Sequence, residues 1–275
     1  MNSYLPLARR IASNVIGRLI QHLAQNGYQG IQSENPEESK ATHQVDKIAV
    51  EEILKVIREI PCDLYMESFD QIHKNNSEFT IFIDPVDGSI NWDRGIGDAG
   101  ICIAISNIKG EVYYRDLNFV YIQGFRTGDV YCFENGKGWY ENNLTGKRWP
   151  LKFLKYVPLH NAMGYLKTGY GGAKKQLEKS LPLFYLCKDI RSFDNSAMEL
   201  AELSRGATDF IVDSRDLSDS FNLLAYPLIK HVGGIITNLA GEDIGNYKIT
   251  PGGIINFVAA GSLSLHQEVL SGLSS

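Results

Sequence analysis

Residues 81–92 read IFIDPVDGSINW, an apolar run that ends in two aspartates, a proline, a glycine and a serine. The run reads as a buried strand, and Pro85 with Asp87-Gly88 turns the chain at its end. Asp84 and Asp87 are therefore expected side by side at a strand's mouth. One turn then offers two carboxylates, the Ser89 hydroxyl and backbone N–H groups freed by Gly88. Hard cations such as Mg²⁺ take oxygen ligands of this kind, and a phosphate takes N–H groups at the start of a turn or helix. A solvated Pro-Asp-Gly surface turn is the plain alternative.

The elements that must position this turn are legible on either side of it. Near the N-terminus, Ile11, Val15, Ile16, Leu19, Ile20 and Leu23 recur at three- and four-residue steps, which predicts an amphipathic helix packed on a core rather than an export signal. A polar stretch around NPEESKATHQ reads as a loop. VDKIAVEEILKVIREI then resumes helical spacing, with Asp46 in its first turn, where the helix dipole alone would favour an acid. CDLYMESF reads as a short strand ending at Glu67. From residue 99 to 143, alternating apolar positions broken at Lys109-Gly110, Thr127-Gly128-Asp129 and Asn135-Gly136 predict an antiparallel meander. The second half changes rhythm. NAMGYLKTGY, DIRSF and TDFIVD read as strands, and AKKQLEKSLPLFYL, NSAMELAELSRG and SFNLLAYPLIKHVGG each read as one helix. Strands alternating with helices imply a layered α/β half. We expect a single domain over 1–275 in two lobes. Residues 1–150 would hold the first helices and the antiparallel sheet with the DPVDGS turn, and 151–275 an α/β lobe.

Composition narrows the partners. A chain of 275 residues, 44% hydrophobic and 21% charged, can bury a sizeable core. Its net charge of −5 argues against a nucleic-acid surface, which selects for a basic face. No apolar run approaches the roughly 20 residues of a membrane span. Cys62, Cys102, Cys132 and Cys187 form no CxxC pair, so they read as reduced thiols of a cytoplasmic protein. The six histidines show no metal-ligand spacing. TGYGGAKK at 168–175 lacks P-loop spacing and reads as a strand-to-helix turn.

DPVDGSINW resembles, at every position, the signature Asp-Pro-(Ile/Val)-Asp-Gly-(Thr/Ser)-x-Asn-(Phe/Trp) of the metal-dependent, lithium-sensitive sugar and inositol phosphatases: inositol monophosphatase and its archaeal relatives that also cleave fructose 1,6-bisphosphate. VDKIA, YMES, ENGKGWYEN and IRSFDNSAMELAELSRGATDFIVD are similar to further segments of that family, in order and spacing. The resemblance implies a layered αβαβα sandwich of the α/β (α+β) class. It also implies Mg²⁺-dependent hydrolysis of a small sugar or inositol phosphate, with two or three ions. One ion would be held by Glu67, Asp84, the Val86 carbonyl and Ser89, and another by Asp84 and Asp87. Asp46 and Ser89 would orient the attacking water, and the Gly88 and Ser89 N–H groups would cradle the phosphate. Asp213 stands where relatives place an acid that touches sugar hydroxyls, and Ser196 and Asp194 would line the same pocket. Family members are often dimers, so a homodimer is expected.

Departures from the pattern matter too. Counting back from Gly233-Gly234 puts Phe221 where the family's last metal-ligand aspartate belongs. Asn222 or Asp219 are the substitutes within reach, and an aspartate restored at 221 or 222 is expected to raise metal affinity. Ser68 replaces a second glutamate, and Lys40 occupies a loop position where some relatives carry an acid. Two alternatives follow: a catalytically impaired relative that binds a ligand or partner, and a 3′-phosphoadenosine 5′-phosphate phosphatase.

Overall fold

A computed structural model describes residues 3–28, 44–67, 69, 71–74, 76–168, 173–216 and 219–273. Lys40, Ser68 and the glycine-rich stretch 169–172 lie outside them. In chain order come α1 (Leu5–Asn26), α2 (Gln44–Ile57), β1 (Cys62–Met66), β2 (Phe79–Asp87), α3 (Ser89–Arg94), β3 (Gly100–Ser106), β4 (Phe119–Gly124), β5 (Val130–Glu134), β6 (Lys137–Asn142) and β7 (Lys147–Pro150). There follow β8 (Met163–Leu166), α4 (Ala173–Ser180), α5 (Leu183–Leu186), β9 (Asp189–Arg191), α6 (Ser196–Ser204), β10 (Phe210–Asp213), α7 (Tyr226–His231), β11 (Ile235–Thr237), β12 (Phe257–Ala260) and α8 (Leu263–Leu273).

Two sheets carry the architecture. The first runs β1-β2-β3-β4-β5-β6-β7; β1 and β2 are parallel and the rest is the antiparallel meander. The second runs β11-β12-β10-β8-β9, with β12 antiparallel to both its neighbours. Helices α1 and α2 cover the outer face of the first sheet, where Ile11, Val15, Leu19 and Ile53 pack on Ile81, Ile83 and Ile103. Helices α6 and α7 fill the space between the sheets, against Phe82, Cys102 and Ile122 on one side and Ile211, Phe257 and Ala259 on the other. Helix α8 closes the far face of the second sheet over Val212, Val258 and Ala260. The order α-β-α-β-α is the layered sandwich expected from the sequence. Among the described residues no helix is long and apolar enough to cross a membrane, and all four cysteines are free.

Two predicted helices are broken, both by proline. AKKQLEKSLPLFYL divides into α4 and α5, because Pro182 has no N–H to continue the ladder and constrains Leu181 before it. SFNLLAYPLIKHVGG divides into a 3₁₀ turn, Ser220–Leu223, and α7, with Pro227 in the first turn of the new helix. The first break leaves Leu181, Phe184, Tyr185 and Leu186 exposed on the surface. The second decides what Phe221 does.

Phe221 is fully buried, its ring 6.4 Å from that of Phe82 in the core between the sheets. It is a packing residue. An aspartate there would place an unpaired charge in an apolar core, so the expectation that this substitution raises metal affinity does not survive the structure. Phe221→Leu is expected to fold with a loss of about 1–2 kcal/mol. Phe221→Asp is expected to lose about 4 kcal/mol or more, or not to fold. Thermal melts of the two variants check this, and a well-folded Phe221→Asp contradicts it.

Candidate active site

The site grows from the end of β2, which is buried along its whole length. Residues three apart on a regular strand point to opposite faces. Here the pairing with β3 runs Asp84 to Cys102 and then jumps to Asp87 opposite Gly100, a bulge that contains Pro85. A bulge is where a strand tolerates proline, and it re-aims the side chains around it. The Val86 N–H donates back to Asp84 Oδ1 at 3.1 Å and fixes that carboxylate against its own turn.

Gly88 then takes φ 86° and ψ 43°, a left-handed turn that starts α3. A Cβ on Gly88 would lie 3.1 Å from Asn195 Cβ, so a larger residue would crowd the residue before α6 as well as strain the backbone. Beside it, Ser89 Oγ lies 2.7 Å from Asp46 Oδ1 and 3.0 Å from the Val86 carbonyl. The aspartate in the first turn of α2 is thus tied to the motif hydroxyl across 43 residues of sequence.

The start of α6 closes the other side. The Met198 N–H donates to Asp87 Oδ2 at 3.0 Å, and the Ala197 N–H assists. This approach needs Gly100, whose absent Cβ would stand 3.0 Å from Met198 Sδ and 2.8 Å from the Gln123 carbonyl. Asn91 Nδ2 donates to the Phe193 carbonyl at 2.5 Å, and Asn195 Nδ2 to the Asp98 carbonyl, so α3 and the 193–195 loop are stitched together. Behind Asp87, the Lys167 ammonium at the end of β8 pairs with Glu199 of α6, both fully buried. Glu199 Oε1 also accepts the Asp194 N–H at 3.1 Å. This pair escaped the sequence reading. A lone lysine after a short strand carries no signal of burial, and its partner lies 32 residues on.

Electrostatics set the character of the site. Asp84, 1% exposed, has its carboxyl held well above the ordinary range, first by burial and then by the charges of Glu67, Asp87 and Asp46. Asp87 is pushed up to about 6 by burial, against the pull of Lys167 and the two α6 N–H groups. Glu67, Asp87 and Asp46 thus all press on the charge of Asp84. Hard oxygen donors crowded in this way fit a divalent cation, which would restore the ionised forms. Among the described residues no group of three His, Cys, Asp or Glu side chains forms a finished cage. Glu67, Asp84 and Asp87 would have to close around an ion.

The remaining expected residues sit further out. Asp219 caps the 3₁₀ turn, its Oδ1 accepting the Phe221 N–H at 3.0 Å, and Asn222 is half-buried in that turn. Ser196 opens α6 and is buried. Asp213 is fully buried, with its Oδ1 and Oδ2 accepting from Arg215 at 3.0 and 2.8 Å.

With this geometry in place, comparison with known proteins gives it a class. The family model described as the inositol monophosphatase family matches residues 3–271. The chain belongs to that family and is by class a phosphatase. It is 26% identical over 226 residues to the fructose-1,6-bisphosphatase/inositol-1-monophosphatase of Methanocaldococcus jannaschii, covering 82% of each chain. It is 28% identical to the fructose-1,6-bisphosphatase of Pyrococcus furiosus, over 84% of this chain and 82% of that one. Among solved structures, the extragenic suppressor protein suhB of Bartonella henselae matches with a TM-score of 0.80 at 17% identity, over 100% of this chain and 99% of the other. A Pyrococcus horikoshii protein with similarities to inositol-1 monophosphatase matches at 0.77 and 21%, over 98% and 97%. At these identities the structural likenesses speak for the fold.

The raised acids imply a pH dependence with a definite sign. A carboxyl raised by folding stabilises the fold most below its unfolded pKa, and that contribution is lost as pH rises through the folded value of about 6. In EDTA, the wild type is expected to lose stability between about pH 4 and 6.5 relative to Asp87→Asn, by on the order of 3 kcal/mol, and to run parallel to it above that. Melting temperatures of both proteins test it, and curves that stay parallel through the lower window contradict it.

Proposed function

We propose that this protein hydrolyses the phosphate monoester of a small polyol or sugar, of the inositol 1-phosphate or fructose 1,6-bisphosphate type, with Mg²⁺ as its cation. The observation that carries the reading is the buried pair Asp84 and Asp87, with the half-buried Glu67 acting on Asp84, beside a serine hydroxyl already bonded to Asp46. Phosphoryl transfer asks for positioning and charge neutralisation more than for a protein nucleophile, and the site supplies carboxylates and dipoles in that proportion. Glu67, Asp84, Asp87, the Val86 carbonyl and Ser89 are the groups that would hold the cation. When bound, the cation supplies a lowered pKa for water and positive charge for the phosphate oxygens.

The chain's own residues then have distinct tasks. Ser89 has one hydroxyl proton and two acceptors in reach, the Asp46 carboxylate and the Val86 carbonyl. When it donates to Asp46, its Oγ lone pairs face outward and can accept a hydrogen bond from water. The proton lost by the attacking water can then pass through Ser89 to Asp46. The Gly88 turn gives backbone N–H groups for the phosphate, backed by the start of α6. Lys167 and Glu199 keep that helix start fixed against Asp87, because Glu199 holds the loop before it and Lys167 holds Glu199. Phe221 contributes no ligand, so a further ion beyond the Asp84 position would depend on Asp87 with Asp219 or Asn222.

Phosphate release from inositol 1-phosphate, fructose 1,6-bisphosphate and 3′-phosphoadenosine 5′-phosphate, with Mg²⁺ and with EDTA, tests the reading. Release from one of the first two is expected only with metal, and Asp84→Asn and Asp87→Asn are each expected to lower it about 100-fold or more. Unchanged rates in both variants, or no release from a folded wild type, would overturn the reading.

A further inference from the structure

Asp194 lies two residues before the start of α6, in the loop that packs on the DPVDGS turn. Its φ is 61°, the left-handed conformation that glycine takes freely and aspartate takes at a cost. The residue is held there by its surroundings. Asp194 Oδ1 accepts from Arg215 Nη1 at 2.8 Å, while Arg215 Nε and Nη2 donate to Asp213 at 3.0 and 2.8 Å. Arg215 and Asp213 are both buried, so the guanidinium is a fixed post rather than a surface group. The Asp194 side chain keeps 19% of its surface exposed, and its Oδ2 has no donor among the described residues.

Its place in the site is defined from both sides. The preceding carbonyl, Phe193, takes Asn91 Nδ2 of α3, and the following residue, Asn195, packs against Gly88. The Asp194 charge is felt at Asp87. A fixed carboxylate beside a phosphate cradle repels phosphate and accepts hydrogen bonds from hydroxyl groups. Asp213, the acid expected to meet a sugar hydroxyl, has both oxygens committed to Arg215.

Building on the phosphatase reading, we propose that Asp194, fixed by the Arg215–Asp213 pair, accepts a hydrogen bond from a hydroxyl of the polyol or sugar carried by the ester and so selects hydroxylated substrates. Arg215 is then a positioning residue. A strained residue here serves recognition, since glycine in its place would relax the backbone and remove the acceptor.

The test compares kcat/KM for inositol 1-phosphate with that for p-nitrophenyl phosphate, which has no hydroxyl on its leaving group, in wild type, Asp194→Gly and Asp194→Asn. The ratio of the two is expected to fall about 10-fold or more in Asp194→Gly, mainly through KM for the polyol ester, as the loss of a hydrogen bond to a charged group requires. Asp194→Asn keeps a neutral acceptor and is expected to retain part of the selectivity. An unchanged ratio in Asp194→Gly, its melt showing a folded protein, would overturn the assignment. A wild type inactive on both esters and on fructose 1,6-bisphosphate with Mg²⁺ would overturn the phosphatase reading, and this inference with it.

Discussion

Burying a carboxylate among other carboxylates is the constraint around which this protein is organised. Asp84 is almost without solvent, and Glu67, Asp87 and Asp46 all disfavour its charge. A fold accepts such a cluster only when the rest of the structure outweighs it. Here the surroundings are two large sheets and the helices between and around them, packed without reference to the acids. The apolar layers on both sides of β2 hold its end in place while the bulge at Pro85 turns the acids inward.

Three devices convert that stored repulsion into a defined site. The left-handed Gly88 turn brings the chain into α3 and places Ser89 against Asp46. The start of α6 offers N–H groups to Asp87, made possible by Gly100. The buried Lys167–Glu199 pair and the Asp213–Arg215–Asp194 group anchor the loop that precedes α6. A buried ion pair is weak evidence of stability. Its value here is geometric, because each pair fixes a segment that touches the acidic turn.

How much of this was legible follows from what each residue's neighbours reveal. DPVDGS carries its chemistry within six residues, so the acids, the hydroxyl and the turn could be read directly, and the meander followed from its alternation and glycine turns. Asp46 had only a helix-start position to recommend it, and its contact with Ser89 required the family pattern. The breaks at Pro182 and Pro227 were within reach of the known behaviour of proline, but the helical periodicity around them dominated. That a phenylalanine offers no metal ligand is legible from its side chain alone, whereas the core role of Phe221 needs its packing near Phe82 to be seen. Lys167, Glu199 and Arg215 were opaque, because a buried ion pair is a relation between distant positions and leaves no local spacing. In residues 235–273, β11 and β12 are only three and four residues long, too short for a period to show.

The central claim is that the acidic turn is destabilising until a cation enters it. Its most direct test is the thermal stability of wild type and Asp84→Asn at pH 7.5, each in EDTA and in Mg²⁺. Asparagine keeps the shape and removes the charge. The account predicts that in EDTA Asp84→Asn is more stable than wild type, and that Mg²⁺ stabilises wild type far more than the variant. A variant less stable than wild type in EDTA, with equal responses of the two proteins to Mg²⁺, would contradict it.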